Sequence, residues 1–398
     1  MRHTHTALKF LAVLALAAGL GASRPAAQGD AAAFIARIEA AQVPDRQGFD
    51  SLTLPQLLKR LNVPGVSIAV VKDFQVHWAK GYGVADVGTS RPVETSTRFQ
   101  AASISKPVTA MAAVRLAQDR KLDLDADVNT MLKSWRVPVS DHTRGQPVTP
   151  RALFSHTSGA DDGFGFPGYD PAALRPRLVQ ILNGQAPSNV GQVLFARPPF
   201  QGYKYSGGGV TIMQLALEEL TAQPFADLMQ ATVLGPLQMT SSSFAQPPPP
   251  EVAAQLARAH DGQGRAMNTA WHVYPEQAAA GLWTTPTDLA RFVIEVQTAV
   301  RGPAGKVLSH ASAEEMIAPV GVGPYAVGLA IGQRGEGWYF SHGGSNWGFQ
   351  ADLVGHVRKG YGVAVMTNGD RGRALITEIE ARVAAAYGWD TLDKPLVR

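Results

Sequence analysis

Ser103 and Lys106 stand three residues apart in FQAASISKPVTAMAAV, residues 99–114, where nearly everything else is small or apolar. Pro107 has no N–H to donate to the carbonyl of Ser103, and its ring crowds that carbonyl. Regular helix therefore cannot run far upstream, and Ser103 falls in the first turn. Positions 103 and 106 share a face in either an α or a 3₁₀ turn. A serine there meets the positive end of the helix dipole, beside N–H groups that lack partners. The helix beyond it is apolar nearly all round, through Val108, Met111, Ala112, Val114 and Leu116, so it is expected inside the protein. A lysine at the start of a buried helix is costly unless it is paired or its pKa falls. A pKa lowered toward neutrality is what a serine nucleophile requires of a neighbouring base. The plainer account is a capping serine beside a snorkelling lysine. S-x-x-K alone carries little weight, and it occurs once in this chain.

Two further stretches add weight. One is KYSGGG, with Tyr205, Ser206 and Gly207 leading into an apolar helical run. The other is SHGGSNWGF, with His342, Gly343, Gly344 and Ser345 at the end of an expected strand. Their order and wide spacing match those of the penicillin-recognising serine hydrolases. The segments TRFQAASISKPVTA, LFSHTSGA, YSGGG, LGPLQMTSSSF, AAGLWTTPTDLARF and HGGSNWGFQADLVGHVRKGYGVAVMTN, spread over roughly residues 50–390, strengthen the likeness. The chain resembles the β-lactamase-related family: class C β-lactamases, D-alanyl-D-alanine carboxypeptidases and the esterases that share their fold.

The resemblance implies that Ser103 is the acylated nucleophile and Lys106 its proton acceptor or electrostatic support. It implies that Tyr205 passes protons, which a phenol near pKa 10 can do only if flanking cations, Lys106 among them, lower it. Which residue is the base stays open. His342 takes the place of a lysine, and the backbone N–H groups of Ser103 and Ser345 would form the oxyanion hole. Gly207, Gly343, Gly344 and Trp347 would border the substrate. Two departures from the family pattern matter. Y-x-N has become Y-S-G, so Gly207 offers no side-chain amide. Lys-Thr-Gly has become His-Gly-Gly, which replaces a permanent cation by one only partly charged at neutral pH. Both changes weaken recognition of acylamino groups and carboxylates and leave ester or general amide hydrolysis unharmed. The expected activity is that of a serine hydrolase, foremost a carboxylesterase. β-Lactamase, D-alanyl-D-alanine carboxypeptidase or D-aminopeptidase activity is the alternative, and a non-catalytic peptidoglycan-binding or sensor relative a further one.

These groups must be held by a fold, and the periodicity outlines it. Helical patterns over residues 31–41 and 52–61 precede two strands, VSIAVVKD and FQVHWAKGYGVAD, with a turn at Lys72-Asp73. From about 100 to 320 the pattern is helical, and Thr149-Pro150 and Thr285-Pro286 each read as an N-cap followed by proline. YAVGLAIGQ, GWYFSHGG, FQADLVGHV and YGVAVMTN read as strands, and residues 374–387 as a last helix. The expected fold is α/β (α+β), β-lactamase/transpeptidase-like. One antiparallel sheet is built from both chain ends (about 28–98 and 322–398), flanked by helices, with a mostly helical subdomain (about 99–321) inserted. Together they would form a single catalytic domain over 28–398.

Composition narrows the rest. With 398 residues, 45% apolar and 17% charged, the chain is ordinary globular material. It has no cysteine, which excludes disulfides, a thiol nucleophile, cysteine-ligated zinc and a lipidated N-terminal cysteine. No H-E-x-x-H occurs and no metal or cofactor is expected; no G-x-S-x-G elbow occurs either. Residues 1–27 read as a secretory signal, a basic start followed by a short apolar block, with a signal anchor as the alternative. Their removal takes away Arg2, Lys9 and Arg24 and no acid, lowering the formal charge from +4 to +1, which gives no electrostatic case for nucleic acid. The expectation is a secreted, periplasmic protein without a stable membrane span after processing, acting on a small ester, amide or peptide. Of the remaining groups, His156 reads as a satisfied loop residue and Glu276 as a surface carboxylate. Trp271, Tyr274 and Trp347 could line an acyl pocket or fill core, and Arg371 and Arg373 could supply the missing cation.

Overall fold

The computed structural model describes residues 25–42, 49–162, 165–335 and 337–389. The leader expected over residues 1–27 lies outside the described residues as far as position 24. Helices α1 (Pro25–Glu39) and α2 (Leu54–Leu61) come first, then strands β1 (Gly65–Lys72), β2 (Gln75–Asp86) and β3 (Arg91–Pro92). The middle holds β4 (Phe99–Gln100), a 3₁₀ turn over Ala102–Ile104, α3 (Ser105–Gln118), α4 (Pro150–Phe154) and α5 (Leu178–Leu182). It continues with α6 (Gly207–Thr221), α7 (Phe225–Met229), α8 (Gln277–Ala280), β5 (Trp283–Thr284), α9 (Pro286–Arg301) and α10 (His310–Ile317). β6 (Ala330–Arg334), β7 (Gly337–Asn346), β8 (Phe349–His356), β9 (Gly362–Thr367) and α11 (Gly372–Tyr387) complete it.

Seven strands form one antiparallel sheet in the order β3-β2-β1-β9-β8-β7-β6. The two chain ends meet at its centre, where Val66 lies opposite Thr367 and Val71 opposite Gly362. Both faces are covered, which is why β1 and β9 read as unbroken apolar runs rather than alternating ones. Val66, Ile68 and Val70 face the cluster that holds Ile38, Leu57, Leu375 and Ile379 of α1, α2 and α11. Ala69 and Val71 face the larger cluster with Phe292 and Val293 of α9. Each such valine or isoleucine contributes roughly 1.5–3 kcal/mol through burial. Arg382 of α11, wholly buried, joins the helix to the N-terminal segment. It donates to Glu378 and to the carbonyls of Ile38, Ala40, Phe49 and Leu52.

The expected helix starts at Thr149-Pro150 and Thr285-Pro286 are present, each threonine accepting from the backbone N–H three residues on. Three expectations need correction. The β1–β2 turn is Asp73-Phe74, both with positive φ, one residue later than the sequence indicated. α6 begins at Gly207 itself, so the three glycines form its first turn rather than preceding it. The strand expected from Tyr325 begins only at Ala330, because Gly328 (φ 83°) presses against Ala110 of α3 in a left-handed conformation that breaks extended structure.

The shortened strand leaves part of its neighbour uncovered. β6 begins with Ala330 opposite Ser341, so among the described residues no strand lies beside that edge of β7 from His342 onward. The 3₁₀ turn carrying Ser103 packs against β7. Among the described residues no helix is long and apolar enough to cross a membrane.

Candidate active site

Ser103 sits in the 3₁₀ turn just ahead of α3, partly exposed, and Ala102 before it has a left-handed backbone (φ 50°). A residue with a Cβ held there costs roughly 1–2 kcal/mol, which the packing around it must offset. That packing is tight. The oxygen of Ala101 lies so close to Gly344 that any side chain at 344 would collide with it. Ala101 donates to the carbonyl of Leu282 (2.8 Å), and Leu282 N–H donates to Ser105 Oγ (3.0 Å). The turn is thereby fixed between β7 and the segment after α8.

Lys106 is 2% exposed. Its Nζ donates to Ser103 Oγ at 2.9 Å and to the carbonyl of Ala279 at 2.8 Å. The small residues Ala278–Ala280 let α8 approach closely enough for that carbonyl to reach the amine; Thr109 Oγ1 also donates to the carbonyl of Ala278 (3.3 Å). Burial pushes the ammonium pKa down to about 7, against the opposing pull of Asp162. An amine half neutral at pH 7, 2.9 Å from a serine hydroxyl, can accept that hydroxyl's proton.

Tyr205 completes the group. Its ring centre is 5.0 Å from Lys106 Nζ, and its hydroxyl lies near enough to the Ser103 side chain for that side chain to favour the phenolate. The residue as a whole is 38% exposed, yet burial around it raises the phenol pKa, with the Ser103 side chain pulling it back only in part. This corrects the expectation of a phenol lowered by cations: burial of the phenol outweighs the nearby amine, which is only half charged at pH 7. A protonated phenol beside Ser103 is a donor at neutral pH.

The loop after α4 positions Tyr205, a role that its sequence does not reveal. His156, itself left-handed (φ 60°) and buried, accepts Lys204 N–H on its carbonyl (3.0 Å) and Ser206 N–H on Nδ1 (3.2 Å). Its ring lies 4.2 Å from that of Tyr205, centre to centre. Asp162, also buried, accepts from Ser206 Oγ and from Gly208 N–H (3.0 Å) at the N-terminus of α6, where its charge suits the helix dipole. The backbone on both sides of Tyr205 is thus held while its side chain reaches Ser103. His156 is consequently no ordinary loop residue: Nδ1 is occupied, but Nε2 is buried and has no partner. One consequence is measurable. Asp162→Asn removes the carboxylate that holds the Lys106 pKa up, so the acid limb of kcat/KM against pH should move below about 7. An unmoved limb would show that the carboxylate does not act on Lys106.

His342 lies on β7, 2% exposed, with its ring 6.2 Å from that of Tyr205. Burial, then the nearness of Lys106 and Arg373, lowers its pKa to about 3, against a hydrogen bond between Nδ1 and the carbonyl of Gly343 (2.6 Å). The partly charged histidine expected from sequence is therefore a neutral one at all ordinary pH. Arg373 does reach the strand: a Cβ at Gly343 would lie 3.0 Å from its Nη2. Its charge, however, is matched by Asp352, and Nη2 donates to the carbonyls of Gly344 (3.3 Å) and Ala351 (3.1 Å). Arg371 packs beside Gly262 instead. Ser345 is exposed on β7, its Oγ accepting from Gln350 Nε2 (2.8 Å). At the strand's end, Asn346 Nδ2 donates to Gln100 Oε1 (2.9 Å) and to the carbonyl of Ala280 (3.0 Å).

The open question over three aromatics is resolved. Tyr274 is fully buried and Trp271 packs edge-on to the buried Trp283 (6.0 Å), so both belong to the core. Trp347, partly exposed, stacks on His272 at 3.9 Å two residues past Ser345. Glu276 is no surface carboxylate: it is fully buried, neither carboxylate oxygen has a hydrogen-bond partner, and burial raises its pKa to about 7. Among the described residues, no three His, Asp or Glu side chains are grouped so as to hold a metal ion.

A family model described as Beta-lactamase matches residues 52–387. Protein flp of Staphylococcus aureus (strain N315) is 24% identical over 320 residues, which cover 78% of this chain and 61% of that protein. Esterase EstB of Burkholderia gladioli is 29% identical over 241 residues, 59% of this chain and 57% of the esterase. The chain thus spans about three fifths of the length of these relatives. The D-amino acid amidase of Ochrobactrum anthropi SV3, solved with L-phenylalanine, has the same fold, with a TM-score of 0.70 at 20% identity; the match covers 90% of this chain and 98% of the amidase.

Proposed function

The chain belongs to the β-lactamase family of serine hydrolases, and from that premise we propose that it forms an acyl-enzyme on Ser103 and acts chiefly as an esterase on uncharged carboxylic esters. The observation that carries the reading is the Ser103–Lys106–Tyr205 group, with a buried amine of pKa about 7 at 2.9 Å from the serine hydroxyl. Lys106 takes the Ser103 proton as Oγ attacks the ester carbonyl, and the tetrahedral oxyanion is received by the N–H groups of Ser103 and Ser345. Tyr205, protonated, gives its proton to the departing alkoxide and regains one from Lys106. A water molecule then attacks the acyl group, and Ser103 recovers its proton. Similarity to an esterase supports the choice of ester among acyl substrates. Export is proposed on the pattern of residues 1–27 alone.

What separates this reading from β-lactamase or D-peptidase activity is that, among the described residues, neither His342 nor Arg373 offers an unmatched charge to a substrate carboxylate. His342 is neutral, and the charge of Arg373 is matched by Asp352. Hydrolysis of p-nitrophenyl butyrate should therefore exceed that of nitrocefin, by on the order of a hundredfold in kcat/KM, an effect of about 2.7 kcal/mol. His342 stays neutral as the pH is lowered, so any gain in nitrocefin turnover relative to the ester near pH 6 should come from Asp352, which burial raises to about 6 and whose protonation uncovers Arg373. A higher kcat/KM for nitrocefin than for the ester would overturn the esterase reading in favour of a β-lactamase.

A further inference from the structure

Gly207 has no side chain, and the space beside it is filled. The ring of Phe166 stands so that a Cβ at Gly207 would lie 2.5 Å from Phe166 Cε2 and 3.2 Å from Cδ2. The loop bearing Phe166 is tied across to the other side of the site. The next residue, Pro167, has its carbonyl 2.8 Å from His272 Nδ1, and His272 stacks flat on Trp347 at 3.9 Å with an interplanar angle of 4°. Gln100, three residues before Ser103, donates from Nε2 to the carbonyl of His272 (2.7 Å). Gly207 lies two residues past Tyr205 and Trp347 two past Ser345, so this row of rings runs alongside Ser103, from the tyrosine loop to the oxyanion strand. Phe166, His272 and Trp347 are each partly exposed.

Resting on the acyl-enzyme reading, we infer that Phe166, seated in the space that Gly207 leaves open, sets the acyl specificity of this site, selecting flat, uncharged acyl groups such as those of aromatic carboxylic esters. Rings offer a planar acyl group the offset or edge contacts that aromatic pairs favour. Phe166 offers an acylamino arm no acceptor for its N–H, which would be left unpaired against the ring. The two features depend on each other. An asparagine at 207 cannot enter while Phe166 holds its place, and Phe166 can hold that place only beside a glycine.

The test compares kcat/KM for p-nitrophenyl benzoate and p-nitrophenyl acetate in the wild-type protein, Phe166→Ala and Phe166→Leu. The benzoate-to-acetate ratio should fall about threefold to tenfold in Phe166→Ala and less in Phe166→Leu, which keeps apolar volume without the flat face. Gly207→Asn should lower the melting temperature, and adding Phe166→Ala should recover part of the loss, since the two side chains compete for one space. A ratio unchanged within about twofold in both Phe166 variants would overturn the inference while leaving the serine hydrolase reading intact. A wild-type protein that hydrolyses neither ester and takes no fluorophosphonate on Ser103 would overturn that reading, and the inference with it.

Discussion

Ser103→Ala is expected to reduce kcat/KM for p-nitrophenyl butyrate by at least about a thousandfold and to abolish labelling by a fluorophosphonate. The wild-type protein should carry a single adduct on the peptide containing Ser103. The size of the loss reflects what remains: alanine leaves the backbone donors and Lys106 in place but no atom able to form the acyl bond. The fold should be unaffected, since Ser103 is only partly buried and its side chain bridges nothing outside the site. This experiment also separates the enzyme from a non-catalytic relative that merely binds cell-wall fragments, for which the substitution would leave ligand binding intact and no adduct would appear in either protein. Full esterase activity in Ser103→Ala would sink the mechanism.

Lys106→Arg should be nearly as damaging, on the order of a thousandfold, although it preserves the charge. A guanidinium stays protonated at any working pH and cannot accept the Ser103 proton. The wild-type pH profile supplies an independent check. Activity needs the neutral amine, so kcat/KM should be low in acid and rise through about pH 7 to a plateau, the direction set by a base that must lose its proton first. The raised phenol pKa of Tyr205 keeps the donor protonated across this range, so no second limb should appear near neutrality. An active arginine variant would show that Lys106 acts through charge alone; a flat profile between about pH 5 and 9 would show that its titration is not part of the reaction.

Much of this was legible in the sequence, for identifiable reasons. Ser103 and Lys106 are paired by local geometry, three residues apart on one turn, so their meeting needs no knowledge of the fold. The strands and the late helix declared themselves through apolar periodicity, and Thr149-Pro150 and Thr285-Pro286 through capping chemistry confined to a few residues. What sequence did not disclose lies in contacts between distant segments. His156 and Asp162 matter because their loop lies along residues 204–208, and a left-handed histidine has no sequence signature of its own. Glu276 read as exposed because the four-residue α8 is too short to show which of its faces is buried. The charge states of Tyr205 and His342 went astray for one shared reason. Both depend on how completely the surroundings exclude water, a property of the packed molecule rather than of any motif.

The pairing of β1 with β9 bears on how the molecule comes to be folded at all. The two central strands of the sheet are separated in the chain by the entire helical middle, so the ribosome must finish that middle and β6 to β8 before β1 can find its partner. Closing so long a loop carries a large entropic penalty before any contact repays it, and chains dominated by such distant pairings fold slowly and through intermediates. Until β9 arrives, β1 and β2 form a hairpin with one apolar edge unpaired, a template for association with other nascent chains. Chaperone protection during synthesis is therefore expected to matter more for this protein than its ordinary composition implies, and truncation before Gly362 should yield aggregate rather than a smaller working enzyme.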